Sequence, residues 1–492
     1  MSKKIVLMNS VGKDDRGRFI IHSPSRWSEG VKKLSSWFCY YPWELAYASA
    51  LLKRESSHKV KLIDPCLKRW SKEETLNNIL EESPDWLIIE SATRTISENL
   101  WVGKSLKEKT QAKIVFVGQH ATAFPQDLTS KGIDYVAIGE YEETLLELFK
   151  NEDSSIAGLY PNQRRPLIEI MKLPWPEDED VKRIEYGNPG EPSSEYLEIQ
   201  AYASRGCYGN CPFCVARNVY YDQPLQRFRK VADVISEIEY LKNSYPQLEG
   251  IFFDEESHNS SKDFIEELTS KIISSGLNNL KYEAMCDLRF LDRESMSNMR
   301  EAGYYKVRFG IETASEELAT SIAKPVSIDE TLSKLSYAKE IGLKTYTTFM
   351  LGLPGSNKEK DIKTIDFITH IIKQDLVDNV QISLTTPQPG TPFYYWAKER
   401  GFIISDDPHS FDGGGPAILS YPDYKKDEIE RVLKIATTKR DHFFFIGNLK
   451  EDPLSFIVKR YKRYGLKLLI EKLLRRIKTE STYFKLFKKN NL

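Results

Sequence analysis

Cysteine is scarce, with six residues among 492, too few for the disulfide framework that staples small secreted domains. No apolar run approaches the roughly 20 residues that a membrane-spanning helix needs. The opening stretch Met1 to Asn9 carries too short an apolar segment for a signal peptide. An excess of charge of one sign is missing too. Seventy Lys and Arg stand against 71 Asp and Glu, a net charge of −1, which gives no global pull towards nucleic acid. These absences predict a cytoplasmic chain in a reducing compartment with no nucleic-acid partner. Apolar residues, by contrast, make up 40% of the chain, enough to fill two or three domain cores.

Three of the six cysteines fall in one stretch, Ala203-Ser204-Arg205-Gly206-Cys207-Tyr208-Gly209-Asn210-Cys211-Pro212-Phe213-Cys214. It lies between a strand-like Tyr196–Gln200 and a helix-forming segment that begins near Val231. Thiolates at that spacing on a tight loop can hold three irons of a [4Fe–4S] cube, which leaves the fourth open to a small molecule. Gly206 and Gly209 let the backbone fold closely round such a group, and Phe213 supplies an apolar shield. Structural zinc is a competing reading, but it normally takes four ligands in two pairs and no second Cys/His pair follows. Plain loop cysteines are another. The C-x3-C-x2-C spacing, with an aromatic residue before the third cysteine, resembles the defining motif of the radical S-adenosylmethionine (SAM) enzymes. That resemblance favours the cluster, with Cys207, Cys211 and Cys214 as its ligands. Cys39, Cys66 and Cys286 stand isolated in the sequence, and a lone cysteine at a strand end, as Cys286 is, reads as packing.

Residues 1–150 alternate strands and helices: Lys4–Met8, a helix over Pro42–Arg54, Val60–Asp64, a helix over Glu73–Glu82, Trp86–Ile89, a helix from about Glu98, Ile114–Val117 and Tyr135–Ile138. This rhythm predicts a doubly wound parallel sheet whose ligands sit beyond the strands' C-terminal ends. No G-x-G-x-x-G follows the first strand, so a dinucleotide fold is not indicated. Val117-Gly118-Gln119-His120-Ala121-Thr122, then Ile133-Asp134-Tyr135-Val136 and Gly139-Glu140-Tyr141-Glu142, is similar to the cobalamin-binding-like domain that precedes many radical SAM enzymes. Gln119 and Tyr141 depart from the usual residues there. The resemblance implies cobalamin contacts at Asn9, Gly118, His120 and Gly139. The D-x-H-x-x-G motif that supplies a histidine to cobalt is absent, so His120 is expected to pack at the strand end rather than ligate.

Residues 151–195, with Pro161, Pro166, Pro174, Pro176, Pro189 and Pro192, read as a stiff linker. From 196 to 400 the strand–helix rhythm resumes, and it predicts a partial (βα)6 barrel. Gly250-Ile-Phe-Phe-Asp254-Glu255-Glu256 is an apolar strand ending in carboxylates, where a parallel barrel places its working groups. Lys306-Val-Arg308-Phe-Gly310-Ile311-Glu312-Thr313, Lys344 to Gly355 and Gln381 to Pro392 resemble the family's later strands. The resemblance implies SAM contacts at Asp254, Glu255, Arg308, Glu312 and Gly352, with Arg308 and Glu312 either binding SAM or neutralising each other. Solvation at the barrel rim is the competing account of the carboxylates.

The last segment, 401–492, is a C-terminal loop and helical region. Asp412-Gly-Gly-Gly-Pro416 is a loop able to lie over the barrel mouth. An amphipathic helix follows from Asp427, and 450–492 holds thirteen Lys and Arg against four acids. Such a basic, apolar-striped segment reads either as a peripheral membrane contact or as a solvated helix packed on its own protein. As a whole, the resemblance implies a cobalamin-dependent radical SAM C-methyltransferase acting on a small-molecule or lipid substrate, supplied with electrons by flavodoxin or ferredoxin. A ring-forming or rearranging oxidoreductase using the same cofactors, and a non-catalytic iron–sulfur scaffold or sensor, are the alternatives.

Overall fold

The computed structural model describes residues 2–451 apart from 15–16, 22–28, 31–37, 152–153, 188, 190–193 and 415. Short apolar runs become parallel strands because helices cover both of their faces. β1 (Lys4–Met8) leads through a small hairpin, β2 (Ile20–Ile21) and β3 (Glu29–Gly30), to β4 (Lys59–Ile63), β5 (Trp86–Glu90), β6 (Lys113–Val117) and β7 (Tyr135–Val136). Five of these form one parallel sheet in the order β4-β1-β5-β6-β7. Helices Trp43–Glu55 and Glu142–Asn151 pack on one face of it, and Lys72–Glu82 and Ile96–Lys109 on the other. The strand order reverses direction at β1, which opens a crevice at the C-terminal edge. The expected doubly wound sheet is the observed one.

The second sheet comes from β8 (Glu198–Ala201), β11 (Gly250–Phe253), β12 (Lys281–Met285), β13 (Tyr304–Glu312), β14 (Lys344–Leu351) and β15 (Asn379–Leu384), beside an antiparallel pair, β9 (Ser204–Gly206) and β10 (Gln226–Phe228). Its order is β15-β14-β13-β12-β11-β8, parallel throughout, the partial (βα)6 barrel expected. Side chains alternate across the sheet. Ile251, Phe253, Val307, Phe309, Phe349 and Leu351 pack outward under the helices. The inner face is polar. Along β14 and β15 every second residue is only half-buried, so Tyr346, Thr348, Met350, Gln381 and Ser383 line a lumen open on that side. Its floor is charged: Glu283 pairs with Arg308 and lies 3.8 Å from Lys306.

The proline-rich segment packs rather than merely spans. Ile156, Leu159, Ile168 and Val181 are buried, and Arg183, also buried, reaches Glu237 at 2.5 Å and the Gln200 carbonyl at 2.8 Å. Helix Lys426–Glu451 lies against helix Lys358–Lys373 and β15. Residues 452–492, and with them nearly all of the basic segment, lie outside the described residues. No described helix is long and apolar enough to cross a membrane.

Candidate active site

β9 delivers Cys207 to the barrel rim. Gly206, at φ +95°, closes against β10, where a Cβ would sit 2.0 Å from the Leu225 carbonyl oxygen; only glycine fits. Gly209 is needed for space, since a Cβ there would stand 3.2 Å from Cys207 Sγ and 3.9 Å from Cys211 Sγ. Two thiols therefore flank one glycine, whose N–H donates to Cys207 Sγ at 3.2 Å. The chain then enters a π-helical turn, Ala216–Tyr221. From it Asn218 donates to the carbonyls of Cys211 and Cys214 at 2.8 and 2.7 Å, pinning the loop. Phe213 packs half-buried against the barrel core.

Three thiols on one pinned loop are a donor set that suits a [4Fe–4S] cube, one thiolate to each of three irons. Burial pushes the Cys207 thiol up to about 11 and the Cys214 thiol up to about 12. Without metal these groups stay protonated, and loading releases their protons. Burial also raises Cys211, against the pull of the Lys324 and Arg289 charges.

Those two cations, which the sequence motifs did not single out, belong to a set of paired charges. Lys324 Nζ meets Glu312 Oε1 at 2.8 Å, and Arg289 meets Asp287 at 2.6 Å. Burial alone would raise Asp287, but the Arg289 hydrogen bond and the Lys324 charge hold it below its ordinary value. Glu256 accepts from Gly206 N–H and from Tyr221 hydroxyl, both at 3.1 Å, so the third carboxylate of the β11 end braces the cysteine loop.

Of the five residues predicted to contact SAM, Glu312 alone stands in this charged set. Its φ of +67° turns the carboxylate back over Gly310. Arg308 does not neutralise it; Arg308 pairs with Glu283 in the lumen floor, between the rings of Phe252 and Tyr346. Glu255 is fully buried and meets His258 Nδ1 at 2.7 Å, and His258 stacks on Phe253 in the outer core. That orientation takes Glu255 away from the lumen, against expectation, because it follows the strand's outward-facing residues into the helix layer. Gly352 is likewise spoken for: its N–H donates to Asp361, its carbonyl accepts from Tyr421, and Ile429 of the C-terminal helix covers it. Asp254 is buried, its N–H donating to the Ala201 carbonyl.

In the first sheet, Asn9, Gly118 and Gly139 lie at or just past the C-terminal ends of β1, β6 and β7. Asn9 donates to Asp64 and accepts from Ser10 N–H. Gly118 packs on Glu90 and Ser91, and Gly139 is covered by the Arg164 guanidinium. His120 hydrogen-bonds Thr93 through Nδ1, while its Nε2 is buried without a partner. Burial lowers its pKa to about 4. Three more orphaned atoms lie at this edge: both carboxylate oxygens of Glu44 and the Tyr220 hydroxyl. Buried polar atoms without partners are costly, and these fit a polar, amide-rich ligand such as a corrin.

The two domains meet strand end to strand end. Arg205 bonds Glu142 at 2.6 Å and Glu140 at 3.4 Å, and Arg227 grips Glu140 through two nitrogens at 2.8 Å. Glu140 and Glu142 of the Gly-Glu-Tyr-Glu motif thus tie this domain to the barrel. On the other flank, Arg94 donates to the His409 carbonyl and lies 3.7 Å from Asp412. The 412–414 loop crosses the end of β15, where Leu384 N–H donates to the Gly413 carbonyl at 2.6 Å.

Two family patterns match this arrangement: a B12-binding domain over residues 34–149 and the radical SAM superfamily over 202–368. The chain carries a B12-binding domain followed by a radical SAM domain. Its [4Fe–4S] cluster, SAM and cobalamin follow from that pairing. An uncharacterized methyltransferase of Pyrococcus horikoshii is 26% identical over 80% of this chain and 86% of its own length. The B12-dependent radical SAM fold recurs in the methyltransferase TsrM from Kitasatospora setae, with a TM-score of 0.63 at 18% identity over 82% of this chain and 77% of that one. It recurs also in the cobalamin-dependent radical enzyme OxsB, with a TM-score of 0.67 at 13% identity over 97% of this chain and 80% of that one.

Proposed function

We propose that this radical SAM protein methylates an unactivated carbon of a small molecule that enters the lumen. The observation that carries this reading is the buried Arg205–Glu142 pair, which holds the B12-binding domain against the cysteine loop. A cluster held by Cys207, Cys211 and Cys214 would supply the electron for reductive cleavage of SAM, and a cobalamin at the other domain's edge would supply the methyl group. Cys207, Cys211 and Cys214 hold the cluster. Glu312, poised by Lys324, is the candidate for the SAM amino group, and Asp254 at the end of β11 is a second. Tyr346, Gln381 and Ser383, linked by hydrogen bonds of 2.7 and 3.2 Å, give the lumen wall polar groups with which to orient a substrate. Flavodoxin or ferredoxin is the fitting electron donor.

Anaerobic reconstitution with SAM, reductant and hydroxocobalamin tests the reading. 5′-Deoxyadenosine together with S-adenosylhomocysteine supports methyl transfer. 5′-Deoxyadenosine alone points to ring formation or rearrangement, and neither product to a scaffold. Cobalt is read as free of a histidine ligand, so His120→Ala keeps most of its corrinoid. Nitrogen superhyperfine splitting of Co(II) that vanishes in this variant reverses that assignment. The basic composition of 450–492 supports contact with anionic lipid. Vesicle sedimentation with and without that segment decides it.

A further inference from the structure

Cys39 and Cys66 are 27 positions apart in sequence and were expected to stand alone; the fold brings them together. Cys66 is the second residue of the short helix Pro65–Lys68 that follows β4, and Cys39 lies on the approach to helix Trp43–Glu55. Cys39 Sγ donates to the Tyr40 carbonyl at 3.6 Å and Cys66 Sγ to the Ile20 carbonyl at 3.9 Å, and with Asp64 at the β4 end they form a group whose three ligand atoms all lie within 4.8 Å of one another. All three residues are at least 97% buried.

The arrangement is more ordered than packing requires. Asp64 Oδ2 accepts from Asn9 Nδ2 at 3.0 Å and from Tyr186 hydroxyl at 2.7 Å, and Oδ1 accepts from Leu67 N–H at 3.0 Å. These donors arrive from β1, the inter-domain segment and the capped helix, and they fix the carboxylate's orientation. Outer partners that fix a ligand in this way are characteristic of metal sites. Two thiols and a carboxylate also match the ligand preference of zinc, in number short by one of a closed tetrahedron.

We propose that Cys39, Asp64 and Cys66 bind a thiophilic divalent ion, zinc in the first instance, at a site separate from the cysteine loop of the radical SAM domain. So enclosed, the ion is a structural clamp. It ties the long connection out of β1 to the edge strand β4, which steadies the C-terminal edge of the B12-binding domain's sheet. Binding replaces the two thiol protons by bonds to the metal and involves no redox change.

The test is elemental analysis of the full chain after anaerobic cluster reconstitution, exposure to Zn2+ and gel filtration over a weak chelator. The wild type retains one zinc per chain. Cys39→Ser and Cys66→Ser lose it and keep their iron, while Cys207→Ala/Cys211→Ala/Cys214→Ala loses iron and keeps its zinc. Tyr186→Phe weakens zinc binding about 10- to 100-fold by releasing the carboxylate. Co2+ added to the cluster-free variant gives a thiolate-to-cobalt charge-transfer band, a readout that does not depend on activity or on folding of the serine variants. Absence of that band in folded protein overturns the proposal. So does zinc that follows the cluster cysteines, zinc retained by both serine variants, or a wild type without zinc whose Cys39 and Cys66 are joined as a disulfide.

Discussion

Arg205 Nη1 lies 2.6 Å from Glu142 Oε1, with the side chains 3% and 0% exposed. The residue two places before Cys207 is thereby fixed to the first turn of a helix in the other domain. Removing one member of such a pair strands a buried charge, at a cost of about 3–5 kcal/mol. Arg205→Ala should therefore shift the denaturation midpoint by that order, and the double variant Arg205→Met/Glu142→Leu should recover a good part of it. Equal destabilisation by the single and double changes would show that the pair itself is not what joins the domains.

Cys207→Ala, Cys211→Ala and Cys214→Ala should each abolish the broad iron–sulfur absorbance and SAM cleavage, because three thiolates leave no spare ligand for the cluster. Iron assay and product chromatography after reconstitution check this. Full iron loading in Cys211→Ala would refute it.

Gly310 leaves room for the turned-back Glu312. A Cβ there would sit 1.8 Å from Glu312 Oε1 and 2.8 Å from Lys324 Nζ. Gly310→Ala should expel the carboxylate and weaken SAM binding about as much as Glu312→Gln, with iron content unchanged. Calorimetric titration of the reconstituted protein measures both. SAM affinity that survives Gly310→Ala but falls in Glu312→Gln would mean that the carboxylate binds from another position.

His120 makes the apoprotein's stability depend on pH. Burial lowers its pKa to about 4, against about 6.5 for the unfolded chain. The unfolded state thus binds the proton first as pH falls, so the contribution is complete above 6.5 and drains away towards 4. Between pH 7 and 5 the loss from this residue is about 2 kcal/mol. Denaturation of wild type and His120→Gln at the two pH values isolates it: the variant should lose less by that amount. Identical losses would dismiss the effect.

The strands and the cysteine loop were legible because their signals are local: apolar runs bounded by turn residues, and ligands within eight positions. The partners of Arg308 and Glu312 were not, since motif spacing says nothing of which way a strand-end side chain faces. Glu283, which takes Arg308, sits mid-strand in β12 with no pattern to mark it. Lys324 follows Ala323, whose φ of +54° turns the chain back to the site, a geometry that alanine does not announce. Gly352 misled for the opposite reason. Its motif was clear, but the helix from Lys426 that covers it is remote in sequence. Cys39 and Cys66 met only because β4 lies beside β1 at the sheet edge.

Contacts on both flanks of the domain junction, Arg205–Glu142 on one side and Arg94–Asp412 on the other, have a consequence for traffic. A clamshell opening would have to pull apart buried charges at the first and uncover the strap at the second. Ligands should instead come and go sideways, past the half-buried polar rungs of β14 and β15, while the two halves stay docked through each turnover.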